Sequence, residues 1–168
     1  MWNSQVIIML LEGIRDTLYM TLASTLFGYI IGLPMGIVLT VTDKDGIRPN
    51  AAVYKVLDVI SNLLRSIPFI ILLIVLIPFT RFVVGRSYGS TATIVPLTIA
   101  RMVESSLKEV DAGVIEAARS MGASDFQIVT KVMLVEARTS LIVGATISLG
   151  TILGYSAMAG TVGGGGLG

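Results

Sequence analysis

A stretch of 25 residues, 17–41, carries no charge. As a helix it is long enough to cross a hydrocarbon core of roughly 30 Å with some tilt. A second apolar block of 15 residues, 66–80, is bounded by Arg65 and Arg81. Val83 and Val84 continue it and both arginines can snorkel, which predicts a second crossing over about 63–84. A third run, 24 uncharged residues, fills 139–162. Between the last two, residues 91–100 are apolar for only ten positions before Arg101. Ten helical residues cover about 15 Å, half a bilayer, so length alone predicts a re-entrant or buried segment there.

Charge placement changes that picture. Lys44, Arg48 and Lys55 follow the first run, while Arg101, Lys108, Arg119, Lys131 and Arg138 follow the short one. The positive-inside rule places both groups in the cytoplasm and leaves Arg81 and Arg86 outside. A crossing is then required over about 89–104. Orientation demands a span that length forbids, and the simplest resolution is that residues are absent after Ala100. The expected fold is an all-α polytopic membrane protein forming a single transmembrane domain over 1–168. Its four spans lie at about 17–41, 63–84, 89–104 and 139–162, with a cytoplasmic segment at 105–138.

Composition agrees with a bilayer as solvent. Hydrophobic residues make up 54% of the 168 and charged ones 14%, against about 25% charged in an ordinary soluble domain. Mean hydropathy is +0.86. A net charge of +1 provides no field for a nucleic-acid partner. The absence of Cys and His excludes disulfides, thiol nucleophiles, the usual zinc ligand sets and a catalytic triad. No G-x-x-x-x-G-K-[ST] is present, so ATP hydrolysis is not expected of this chain. Gly163, Gly165 and Gly168 satisfy G-x-G-x-x-G, but no strand precedes them; a tightly turned end of the last span is the ordinary reading.

The water-facing segment keeps helical periodicity. Val114, Ile115, Ala118 and Met121 form one stripe that stops at Gly122, a residue suited to the position after a helix end. Ser124 opens a new helix, with Asp125 in its first turn and Gln127 three residues on, the pattern of a capping box. Phe126, Val129 and Met133 supply its apolar face. Glu104, Glu109, Asp111 and Glu116 read as caps and surface pairs rather than acid–base groups, with Arg119 an i, i+3 partner for Glu116. The prediction is two short helices joined by a glycine turn, either an interfacial hairpin or a docking element for a soluble partner.

Glu116-Ala117-Ala118, then Gly122 after three residues, then Val132-Met133-Leu134 nine residues later, resembles the EAA loop of ABC importer permeases. The proline that closes the family consensus is replaced here by Val135. Arg65-Ser66-Ile67-Pro68-Phe69, Ile77-Pro78-Phe79-Thr80-Arg81, Ile94-Val95-Pro96-Leu97-Thr98, Arg101-Met102-Val103-Glu104 and Gly154-Tyr155-Ser156-Ala157-Met158 are similar to the methionine-importer branch of that family. The resemblance implies a bacterial inner-membrane, multi-pass permease subunit that is not itself an enzyme. It implies ATPase-coupling residues at Glu116, Ala117, Ala118 and Arg119, and at Met121, Gly122, Ala123 and Phe126. It also implies a substrate pathway or gate at Tyr155 and Met158. The implied partners are a second copy, two ATP-binding subunits carrying ATP and Mg, an extracytoplasmic substrate-binding protein and membrane lipid. In that family more helix separates the stretches matching Ile94–Thr98 and Arg101–Glu104, and a fifth span follows the glycine-rich stretch, so residues are also expected beyond Gly168. A permease for another amino acid or an osmolyte, or a passive channel or structural subunit without an ATPase, remain alternatives.

Small residues mark expected packing faces. Gly28, Gly32 and Gly36 recur every four residues, as do Gly150 and Gly154, the small-xxx-small pattern of close helix contact. Pro34, Pro68 and Pro78 are expected to kink or begin helices.

Overall fold

The computed structural model describes residues 3–101 and 110–168, and no strand occurs among them. Helix α1, Ser4–Thr42, contains the first uncharged run and extends well before it. Its 39 residues correspond to about 58 Å, so part of it projects beyond a bilayer. Pro34 lies inside α1 without ending it. A turn over 43–50 leads to α2, Ala51–Ser66, which opens with the Asn50 side chain accepting from the Val53 amide.

The stretch 63–84 is not one helix. It comprises the end of α2, then α3, Phe69–Val75, and α4, Ile77–Val84. The physical reason is proline. Ile67, held at φ −82° and ψ 125° by Pro68 after it, cannot continue the α conformation, and α2 and α3 meet at a bend of 111°. Pro78 occupies the first turn of α4, where its missing N–H costs nothing.

Helix α5, Ser90–Arg101, carries Pro96 and runs alongside α1. Their matching levels are fixed by Ser90 Oγ donating to Asp16, Ser24 Oγ to the Ile94 carbonyl, and Gly28 facing Thr98 and Arg101. The expected crossing 89–104 and the residues expected to be missing after Ala100 involve positions 102–109, outside the described residues. Beyond them come α6, Ala112–Ser120, then α7, Asp125–Gln127, a π-helical turn Ile128–Met133, and α8, Leu134–Glu136. Helix α9, Arg138–Gly160, is the second helix long and apolar enough to cross a membrane, and it packs on both α1 and α5.

Polarity in the helix bundle is arranged inside-out. Ser24, Thr93, Thr98, Ser148 and Ser156 are buried while most Leu, Ile and Val side chains of α1 and α9 are exposed, as expected where lipid replaces water and small polar residues mediate close packing. A core of Met20, Phe69, Leu73, Leu97 and Ile152 ties α1, α3, α5 and α9 together. At one end of the bundle the glycine-rich segment folds back over it. The Gly89 amide donates to Gly163, Thr93 Oγ1 to the Gly164 carbonyl, and the Leu167 amide to Thr17 Oγ1.

Gly164 has no space for a side chain: a Cβ there would lie 2.6 Å from the Ala159 carbonyl oxygen, whereas Gly150 faces nothing within 4 Å. Gly164→Ala is expected to destabilise the chain by about 1–3 kcal/mol, while Gly150→Ala, with helix propensity in its favour, costs nothing. Thermal unfolding of the two variants in detergent checks this; equal melting temperatures would contradict the packing.

Candidate functional site

The turn over 43–50 and the segment 110–136 meet at the end of the molecule opposite the glycine-rich segment. Ile47, Ala118, Ile128 and Met133 form a second buried cluster, with Val41, Val110 and Ile115 packed against it. Arg119 donates to the Ile47 carbonyl and lies 3.9 Å from Asp125, which also faces Arg48 at 3.6 Å. The guanidinium of Arg119 therefore reaches across to the 43–50 turn rather than back to Glu116, whose side chain is exposed.

The hairpin turn is closed on both sides. Ala123 N–H donates to the Ala118 carbonyl at 3.1 Å and Gly122 N–H to Arg119 at 2.9 Å, the two bonds of a Schellman motif, with Gly122 at φ +81° in the left-handed region that favours glycine. One residue later Ser124 and Gln127 form the reciprocal capping box. Asp111 caps α6 through the Gly113 amide. Two helix ends thus meet across Gly122-Ala123 with their terminal backbone groups bonded, a stiff elbow rather than a loose loop.

Around this elbow the structure separates the residues that the sequence grouped together. Ile115 and Ala118 are turned inward, but Val114 is exposed and Met121, one residue past α6, is 82% exposed. On the second arm Val129 and Met133 join the buried cluster while Phe126 is 76% exposed. The predicted face Phe126–Val129–Met133 assumed an α-helical period. The π turn brings i and i+5 onto one face, so Ile128 pairs with Met133 and Phe126 faces out. Ala117 and Gly122 are exposed and Ala123 half-buried. The chain enters α9 at Ala137, buried with φ −76° and ψ −3°, two residues after Val135, which stands where the family consensus has proline.

Tyr155 stacks flat on Phe69, with ring centroids 4.5 Å apart, and lines a cavity of about 160 Å³ beside Arg65 and Arg101. Met158, three residues on, is exposed on α9 and does not border that cavity. Gly28, Gly32 and Gly36 are all buried, and Gly28 sits against α5, where a Cβ would meet the Cβ of Arg101 at 3.5 Å. Gly150 and Gly154 are bare.

Arg101 corrects the sequence reading. It borders an apolar run and was expected at the cytoplasmic edge, yet its neighbours are Gly28, near the middle of the uncharged run of α1, and Ser148, near the middle of that of α9. The signal was available in the ten-residue length of 91–100, too short to reach an edge.

A family model described as binding-protein-dependent transport system inner membrane component matches residues 8–168. This chain belongs to that family. It is 54% identical over 158 residues to the D-methionine transport system permease protein MetI of Salmonella typhimurium, covering 90% of this chain and 73% of the relative. The protein of the same name from Escherichia coli K12 is also 54% identical, with the same coverage. The probable D-methionine transport system permease protein MetI of Vibrio cholerae is 46% identical over 166 residues, covering 95% and 74%. A chain of the MetNI methionine ABC transporter, solved in inward-facing conformations, superposes with a TM-score of 0.94 at 51% identity, covering 99% of this permease and 80% of that chain. The all-α membrane architecture expected from the sequence is thus that of a transport permease.

In the permease, the tie from Arg119 to the 43–50 turn is testable on its own. Hydrogen bonds to charged groups contribute about 1.5–3 kcal/mol. Arg119→Ala is therefore expected to speed exchange of the Arg48 and Asn50 amides, now bonded to Val41 and Thr42, by roughly tenfold or more. Hydrogen-exchange mass spectrometry of the 41–50 peptide reads this, and unchanged protection would rule the tie out.

Proposed function

We propose that this chain is the membrane-spanning subunit of an ATP-driven methionine importer, working as one of two copies around a shared path. Each copy seats its elbow on one ATPase subunit, which carries ATP and Mg. An extracytoplasmic binding protein supplies the substrate, and this chain performs no hydrolysis. The observation that carries the reading is the elbow itself. Two helix ends are fully capped, and the large apolar side chains of Met121 and Phe126 stand outward on either side of Gly122. Exposed apolar anchors on a rigid turn are what a protein cleft buries.

The same turn is connected to two spans. Arg119 and the Ile47 cluster join it to the inner end of α1, and α8 runs into α9 with a break only at Ala137. A displacement of the elbow by closure of the ATPase pair therefore moves α1 and α9 together, and rigid-body rocking of these helices opens the path alternately to either side. In this scheme Glu116, Ala117, Met121, Gly122 and Phe126 contact the ATPase, while Ala118, Arg119 and Ala123 hold the shape of the contact. Tyr155 and Met158 belong to the moving path.

Replacing both Met121 and Phe126 by Ser is expected to weaken ATPase binding by about 2 kcal/mol or more, roughly thirtyfold, read by co-purification at limiting protein. Gly122→Ala, strained by about 1–2 kcal/mol in the left-handed region, is expected to leave the chain in the membrane but uncouple ATP hydrolysis from methionine uptake in proteoliposomes containing the binding protein. Full uptake by both variants, or no ATP-dependent methionine uptake by the unaltered complex, would reject the reading.

A further inference from the structure

Between the inner end of α1 and the second arm of the elbow lies a groove of about 830 Å³. One wall is α1, where Pro34, Val38 and Val41 recur at i, i+4 and i+7 and so stack along a single helical face. The other wall is built by the π turn. The Leu134 amide donates to the Val129 carbonyl, a register of five that sets these two side chains on one face, next to the buried pair Ile128 and Met133. Phe126 completes that wall.

The depth of the groove follows from α1. Asp43 is the first charge after the uncharged run, and Pro34 lies about 13 Å further in, within an inner leaflet of about 15 Å. The Arg48 amide bonds the Val41 carbonyl, which holds Arg48 at the level where the run ends. Exposed Ile30, Ile31 and Val38 carry the lipid-facing surface of α1 into the groove with no polar residue between them. The open side of the groove is therefore hydrocarbon.

The polar groups at the rim are already engaged. Arg48 and Asp125, the charged residues that line it, face each other at 3.6 Å. The Thr42 and Thr130 hydroxyls donate to the Val38 and Phe126 carbonyls. No net charge is left to select a headgroup, and the walls themselves are apolar. The volume falls within the roughly 300–1,000 Å³ of sites that enclose drug-sized ligands, ample for a segment of hydrocarbon chain.

We propose that this groove is a lipid site, which takes one acyl chain of an inner-leaflet phospholipid between α1 and the elbow. Passage from bilayer to groove gains no hydrophobic free energy, since both are hydrocarbon. What retains the chain is contact with two fixed walls in place of mobile neighbours, so exchange is continual and the enrichment modest. A chain so held is packing material in the joint through which the elbow bears on α1. The site needs only the membrane placement of α1 and holds whichever solute is carried. Phe126 alone is shared with the proposed ATPase contact, and at 76% exposed it has surface for both.

The test places the permease–ATPase complex in phosphatidylcholine nanodiscs, with a fraction of the lipid carrying a photoactivatable diazirine midway along one acyl chain. Labelled peptides are mapped by mass spectrometry after irradiation. Exposed Ile142 and Ile147 on α9 report lipid that merely surrounds the protein. Labelling of 34–41 and 126–134 is expected to exceed that reference at least about threefold. Val38→Trp and Val129→Trp, which fill the groove from either wall, are each expected to cut groove labelling by about threefold or more and leave the α9 label unchanged. Carrying the diazirine on phosphatidylglycerol instead is expected to change the ratio by less than about threefold, because the rim is neutral. Groove labelling no higher than the reference, labelling indifferent to both Trp variants, or a larger preference for phosphatidylglycerol overturns the proposal. An ATPase subunit or a second permease copy seated in the groove shuts out the label and gives the first of these results. If neither Trp variant assembles, the ratio on the unaltered complex decides.

Discussion

Inside a bilayer only the protein can satisfy a polar group, and the arrangement of this permease follows from that constraint. Threonine and serine hydroxyls point into helix contacts, where Ser24 reaches the Ile94 carbonyl and Thr93 the Gly164 carbonyl. Leucine, isoleucine and valine face outward, where in water they would be a liability. Gly28 packs against α5 where a guanidinium sits at mid-depth against Ser148, and a Cβ at Gly28 would still be in ordinary contact, 3.5 Å from the Arg101 Cβ.

The cytoplasmic end obeys ordinary aqueous rules. Its small cluster around Ile47, Ala118, Ile128 and Met133 is too modest to hold a domain alone, and its geometry is set instead by hydrogen bonds at helix ends. The Schellman bonds at Gly122, the capping box at Ser124 and the Asp111 cap close the exposed donors and acceptors of the turn. The turn is thereby stiff, and in the proposed assembly it presents the exposed Met121 and Phe126 to the ATPase.

Much of this was legible in the sequence because it depends on local chemistry. The capping box from Ser124 to Gln127 and the glycine stop at Gly122 are properties of a few adjacent residues, and the structure holds both. The two long uncharged runs announced α1 and α9 in the same way. What was not legible depends on distant partners. Arg119 chose a carbonyl 72 residues away over its helical neighbour, and the π turn at Ile128–Met133 shifted Phe126 out of the face its spacing assigned. The break at Pro68 was half visible: proline predicted a helix start, but the angle of 111° and the cavity it leaves arise from what packs on either side. Arg101 was misplaced because a charge beside an apolar run ordinarily marks an edge, and here it marks the middle.

The glycine-rich segment has a mechanical consequence. It laces the outer ends of α1, α5 and α9 together through its own main-chain atoms, which bond the Gly89 amide and the Thr93 and Thr17 hydroxyls. Bodies fastened at one tip swing about it like the blades of tweezers. Any excursion that leaves the fastening whole is small at the laced end and grows with distance from it, so in the proposed importer a stroke delivered at the elbow moves the elbow end of these helices most.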